Sequence, residues 1–242
     1  MTHNQILGEI MEDQGPVIGL TCLDEESGRH CANIISQFGG NVRLITPENV
    51  HQMPNISRDL GGLLLAGSGD LSLSFSDNHL INPSDNLTKA RFVESEMILL
   101  KEMMMRDAPV LGIGRGMQIL NAAAGGTLNK VAHSHVADGA AEKGKEMLLG
   151  YHRIFLTPGS KLAATVGSGG FVRVNSYHQH GLRESGKADE LMTSAWSVDD
   201  GLIEALESPA HNWVIGVQFH PERRGELPPH FDGLFRTLVG KS

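Results

Sequence analysis

Short apolar runs alternate along the first half of the chain with longer stretches whose apolar positions recur at helical spacing. "PVIGLTC" (Pro16–Cys22) is a β-branched run and predicts a buried strand. "RHCANIISQFGG" predicts a helix stopped by Gly39-Gly40. "NVRLITP" is the next strand, and "LGGLLLAGSGD" is a strand that runs into a Gly-rich turn. "NLTKARFVESEMILLKEMMMRDA" reads as a long amphipathic helix, its Met-rich piece being core filler. "PVLGIG" is a further strand, and "GMQILNAAAGG" a helix ended by two glycines. Strand–helix alternation of this kind predicts a parallel sheet with helices on both faces.

The second half has a different pattern. "HRIFLTPGSKLAATVG", "FVRVNSYHQHGL", "ELMTSAWSVDDGLIEALES" and "WVIGVQFHPE" read as strands with hairpin or loop links and few helices. "PHFDGLFRTLVGK" is a closing helix. No Pro/Ser linker, charge block or repeat interrupts the chain, so residues 16–242 read as a single domain. Residues 1–15 read as a flexible tail, acidic and without the basic start of a signal peptide.

Composition narrows the class. The 242 residues are 40% hydrophobic and 20% charged, which suits a globular protein. The net charge of -8 argues against nucleic-acid or anionic-membrane binding. The longest uncharged apolar run, near "LGGLLLAGSG", falls short of the ~20 residues that a membrane span needs. The two cysteines, Cys22 and Cys31, match no metal or redox spacing and read as reduced, buried thiols in a cytoplasmic protein.

Three stretches carry candidate chemistry. Gly112-Ile113-Gly114-Arg115-Gly116 lies between a strand and a helix, and small residues there suit a nucleophile elbow, whose backbone turns sharply. The tip of such a turn sits at a helix N-terminus, which lowers a thiol's pKa. In "GVQFHPE", His220 and Glu222 are two apart, so in extended chain they point to one side. A carboxylate beside an imidazole fixes its tautomer and steadies the imidazolium. "LLLAGSGD" (Leu63–Asp70) can aim backbone N–H groups at an anion. Two His-x-His pairs, His133/His135 and His178/His180, would each suit one metal ion on a strand, but no third ligand has clear spacing. No metal and no cofactor are expected.

Together these stretches resemble the class I glutamine amidotransferase-like proteins, in particular the γ-glutamyl hydrolase and γ-glutamyl-γ-aminobutyrate hydrolase-like branch. "PVLGIGRGMQILNAAAGGTL" is similar to that branch's "PVLGICRGMQ…N…GGTL", and "LLLAGSGD" to its "LLLPGGGD". "VNSYHQ", "DGLIEALE" and "GVQFHPE" are similar to "VNSYHHQ", "DGVIEA.E" and "GVQWHPE". The resemblance runs from Pro16 to the closing helix. It implies an open, mostly parallel sheet flanked by helices, flavodoxin-like, with an added β-rich segment in the second half. It also implies cleavage of a γ-glutamyl amide through a thioester. By this resemblance the nucleophile position is Gly114, the base His220 and its orienting carboxylate Glu222. The oxyanion donors are the N–H groups of Gly67 and Arg115. The γ-glutamyl group falls to Gly69, Gln118, Ser176, Tyr177, His178 and Gln179. The expected partner is glutamine or another small γ-glutamyl compound, with self-association left open.

The departure from the family is Gly114 itself. Glycine has no atom that can attack a carbonyl, so no thioester forms. A water activated by His220 would retain only oxyanion and binding effects, ~10³–10⁴-fold over the uncatalysed rate. Cys22 ends a predicted strand, and strand C-termini line the crevice in such sheets, but the elbow geometry belongs to residue 114. Little or no hydrolase activity is expected. The chain reads as a natural pseudoenzyme with a binding pocket or as an enzyme altered at its nucleophile. An ammonia-supplying synthetase subunit is a third alternative.

Overall fold

The computed structural model describes residues 15–23, 25–52, 57–67, 83–130, 150–178 and 180–242. The tail up to residue 14, Gly69, Gln179, His133 and His135 lie outside the described residues.

Five parallel strands form one half of a nine-stranded sheet. They are β1 (Val17–Thr21), β2 (Asn41–Ile45), β3 (Gly62–Leu65), β4 (Val110–Ile113) and β11 (Val214–Val217), in the order β2-β1-β3-β4-β11. Every residue of β3, β4 and β11 is buried, as expected of parallel strands covered on both faces. Alternate side chains therefore feed two cores. Leu64, Leu111 and Ile113 join one cluster with Ile34, Ile35, Phe235 and Leu238. Leu63, Leu65 and Val110 join the other with Phe92, Leu99, Met117 and Leu120. The first core lies under helix α1 (Glu25–Gln37) and the closing helix α5 (Gly233–Lys241). The second lies under α2 (Pro83–Met105) and α3 (Arg115–Ala123).

The β-rich second half extends this same sheet. Next to β11 come β10 (Ile203–Glu207), β9 (Met192–Ser197), β6 (Gly150–Leu156) and β7 (Gly170–Ser176), all antiparallel to their neighbours. A two-stranded pair, β5 (Asn129–Lys130) and β8 (His180–Gly181), stands apart. The expected open sheet with flanking helices is thus observed, with the added segment continuing its edge.

One correction concerns "HRIFLTPGSKLAATVG". Its second part is not strand but a short helix, α4 (Lys161–Val166). Ser160 caps it, accepting a hydrogen bond from the Ala163 N–H at 3.0 Å, and Gly167 closes it at φ 86°. The Lys161 and Leu162 N–H groups donate to the Glu207 carboxylate at 3.1 and 3.3 Å. No helix among the described residues is long and apolar enough to cross a membrane.

Candidate active site

β4 ends at Ile113 and α3 begins at Arg115, so Gly114 alone makes the turn. It does so at φ 54°, ψ -111°, a conformation that L side chains rarely adopt. The Gly114 N–H donates to the Val217 carbonyl at 2.8 Å, and the Gly114 carbonyl accepts from the Met117 N–H at 3.1 Å. The flanking glycines are required by close approach. A Cβ on Gly116 would stand 2.1 Å from the Leu65 carbonyl oxygen, and one on Gly112 would stand 2.7 Å from the Gly116 carbonyl.

β11 lies beside β4 with Val217 opposite Ile113. The chain continues through Gln218 and Phe219 and delivers His220 to the tip of the turn. A Cβ on Gly114 would lie 3.2 Å from His220 Nε2, 3.1 Å from its Cε1 and 3.2 Å from the Gly67 carbonyl oxygen. On the far side of the ring, His220 Nδ1 is 2.7 Å from Glu222 Oε1. A carboxylate only accepts, so Nδ1 carries the proton and Nε2 turns its lone pair toward residue 114. The imidazole is 8% exposed.

Asn175, at the buried end of β7, pins His220 in place. Its Oδ1 accepts from the His220 N–H at 2.8 Å, and its Nδ2 donates to the His220 carbonyl at 3.0 Å. Sequence reasoning passed over Asn175, although it stands inside "VNSYHQ". Tyr177 packs edge-on against the His220 ring, 5.3 Å between centroids at 89°. Its hydroxyl meets the Glu226 carboxylate at 3.0 Å and accepts from Arg223 at 2.9 Å. Burial pushes the Tyr177 hydroxyl up to about 12; the Arg223 charge opposes this and the Glu226 hydrogen bond adds to it.

Arg115 opens α3, so its N–H belongs to the first turn, which has no partner within the helix. Its side chain runs inward. The guanidinium forks onto Glu96 at 2.7 and 2.8 Å, and Thr21 donates to the same carboxylate at 2.6 Å. Arg115 Nε would be 2.7 Å from a Cβ on Gly67, so the guanidinium packs against the Gly67 turn. Glu96 was not legible as a site residue, because in sequence it is one of several acidic residues on a long helix.

Gln118 is fully buried, its amide donating to Gln218 Oε1 at 3.3 Å and to the His180 carbonyl at 3.4 Å. Ser176 is buried, and its hydroxyl has no hydrogen-bond partner among the described residues. His178 Nδ1 faces the His180 carbonyl at 3.1 Å. Glu204 Oε1 lies 3.5 Å from His178 Nε2 and 3.4 Å from His152 Nε2. The structure therefore gathers Gly114, His220, Glu222, Gly67, Arg115 and Tyr177 at the elbow. Ser176 and His178 follow on the adjoining β7 segment, and Gln118 lies in the interior on α3. Among the described residues no group of three or more His, Cys, Asp or Glu is arranged to hold a metal ion. Cys22 is fully buried, and its sulfur would meet a Cβ on Gly28 of α1 at 2.8 Å, so it packs into the core.

A small-residue elbow, an imidazole beside its tip and a carboxylate behind the imidazole could together orient a base toward residue 114. The model of the Peptidase C26 family matches residues 16–222. The chain belongs to this family. Two relatives named "putative glutamine amidotransferase" are similar to it. One, from Mycobacterium tuberculosis, is 31% identical over 225 residues, covering 86% of this chain and 70% of its own length. The other, from Schizosaccharomyces pombe, is 28% identical, covering 94% of this chain and 87% of its own length. A glutamine amidotransferase structure from Methylobacillus flagellatus shares the fold at TM-score 0.66 and 13% identity, covering 94% of this chain and 93% of that one. The glutaminase domain of Trypanosoma brucei CTP synthase, with bound acivicin, aligns at TM-score 0.63 and 16% identity, covering 94% of each chain.

Proposed function

We propose that this Peptidase C26 chain is a γ-glutamyl amide hydrolase scaffold that binds γ-glutamyl compounds and lacks the covalent step. One observation carries the reading: the side-chain direction of Gly114 ends 3.2 Å from the Nε2 of a His220 held by Glu222. In that reading residue 114 is the nucleophile position, His220 the base and Glu222 its orienting group. The N–H groups of Gly67 and Arg115 face the developing oxyanion. Ser176, Tyr177, His178 and Gln118 line or support the γ-glutamyl pocket, and the resemblance assigns Gly69 and Gln179 to the same task. The family's chemistry begins with thiolate attack on the γ-carbonyl. The imidazole then protonates the leaving amine, and water resolves the thioester. Glycine removes the first step and leaves binding. Glycine also accepts the positive φ at the tip, where a side chain would be strained. The reduced thiols suit the cytoplasm.

The test is calorimetry of the chain as written with L-glutamine and small γ-glutamyl amides, beside turnover assays. Binding without appreciable glutamate release is the expected result. Absence of binding to every γ-glutamyl compound, or rapid turnover by the unaltered chain, overturns the reading.

A further inference from the structure

We propose that Glu226 is a positioning residue that holds His220 at the tip of the elbow, acting through Asn175 and Tyr177. That His220 is a base rests on the γ-glutamyl reading of the site; the hold on its position rests on contacts alone. Two successive turns bring Glu226 back beside the histidine. The Arg223 N–H donates to the His220 carbonyl at 3.2 Å, and the Glu226 N–H donates to the Arg223 carbonyl at 3.2 Å. The Glu226 carboxylate then accepts from Asn175 Nδ2 at 2.7 Å and from the Tyr177 hydroxyl at 3.0 Å. The Arg223 guanidinium lies 3.6 Å from it.

Each of these two donors holds His220 in a different way. Asn175 brackets its main chain. One Nδ2 hydrogen goes to the His220 carbonyl and the other to Glu226, while Oδ1 accepts from the His220 N–H. The bond to Glu226 is charge-assisted and the shortest of the three. Tyr177 flanks the imidazole edge-on. A guanidinium only donates, so Arg223 donates to the Tyr177 oxygen and the hydroxyl hydrogen is directed to Glu226. Arg223 also covers the Tyr177 ring, 4.1 Å from its centroid. One carboxylate therefore fixes both the main chain and the flank of the same histidine. Glu222 sets which ring nitrogen carries the proton, and Glu226 sets where the ring stands. A misplacement of about 1 Å in such a centre costs about 10²-fold in rate.

The experiment reads amide hydrogen exchange by NMR in the full chain and in Glu226→Ala. The His220 N–H is bonded to the Asn175 side chain, so its protection reports the clamp directly. The expected result is exchange at His220 faster by about 10–10²-fold, the effect of one lost hydrogen bond to a charged group, with smaller changes at the amides of β11. Glu226→Gln keeps one accepting oxygen and should show a smaller rise; it also serves where Glu226→Ala does not fold. Unchanged exchange at His220 overturns the proposal. An equal rise along β11 also overturns it, because Glu226 would then act on overall stability alone. A second arm uses Gly114→Cys with a γ-glutamyl anilide. Adding Glu226→Ala is expected to lower kcat by about 10–10²-fold with KM unchanged, and Glu226→Gln to recover part of it. Adding Asn175→Ala to Glu226→Ala should lower kcat no further than Asn175→Ala does alone, since the two act as a unit. An unchanged kcat in Glu226→Ala, or losses that multiply, overturns the proposal. If Gly114→Cys is itself inert, the γ-glutamyl reading falls and exchange at His220 alone decides the role of Glu226.

Discussion

The Cβ direction of Gly114 ends 3.2 Å from His220 Nε2, so a side chain placed at 114 meets the imidazole once the ring gives by a few tenths of an ångström. A thiol there sits beside a base that Glu222 already orients, at a helix N-terminus that favours its thiolate. Gly114→Cys is therefore expected to release glutamate from γ-glutamyl amides at least about 10³-fold faster than the parent chain, since nucleophile loss in such centres removes most of the rate. The variant is also expected to be alkylated at residue 114 by a glutamine-like electrophile, read by mass spectrometry. A folded variant that stays inert toward both would detach this elbow from acyl transfer.

The Arg115–Glu96 pair makes a second expectation, this one about stability. Both side chains are buried, at 2% and 0% exposure, and the carboxylate also accepts from Thr21. Removing one partner strands a buried charge, at a cost of about 3–5 kcal/mol. Glu96→Ala should lose about that much in urea unfolding. Replacing both partners together, as Glu96→Leu with Arg115→Met, should recover most of the loss. A single variant within 1 kcal/mol of the parent would mean that water reaches the pair.

The contrast between these two pairs shows what the sequence could and could not tell. Gly112, Gly114 and Gly116 were legible because a sharp strand-to-helix turn leaves few residue types to choose from. His220 and Glu222 were legible because their two-residue spacing fixes a common face. The parallel half was legible through its continuous apolar runs, which only sheets covered on both faces tolerate. Glu96 and Asn175 were not, since their partners lie 19 and 45 residues away and nothing local marks them. The helix at Lys161–Val166 was lost to the neighbouring strand pattern, although Ser160 and Gly167 carry its two end signals. That the antiparallel strands join the same sheet depends on pairing across long separations, which periodicity does not encode.

Stability against pH offers a third measurement. Burial raises the Cys31 thiol well above its ordinary value, and the nearby Glu222 carboxylate and Cys22 raise it further. In the unfolded chain a thiol titrates near ~8.5, so above that pH the unfolded state loses a proton that the folded state keeps. The stability contributed by Cys31 is thus fully present below pH ~8.5 and declines as pH rises. Tyr177, raised from 10.0 to about 12, adds a decline of the same sign above pH 10. Urea midpoints are expected to fall between about pH 8.5 and 10, and to fall less in Cys31→Ala. A midpoint that rises over that interval would contradict the sign.

The last expectation concerns Glu204, which is fully buried on β10 between His152 of β6 and His178 beyond β7. His178 in turn faces the carbonyl of His180, and Gln118 of the elbow helix donates to that same carbonyl. One carboxylate therefore ties the antiparallel edge of the sheet to the segment proposed to hold the γ-glutamyl group. Glu204→Ala deprives the buried His178 and the partly buried His152 of a shared partner and should cost about 1–3 kcal/mol for each group left unsatisfied. Glu204→Gln keeps the volume and one acceptor oxygen, and should cost less. If Glu204 also positions the segment, Glu204→Gln weakens binding of L-glutamine in calorimetry by more than its stability loss explains, since the chain is still folded at the assay temperature. Unchanged affinity in a folded Glu204→Gln would confine Glu204 to holding the sheet together.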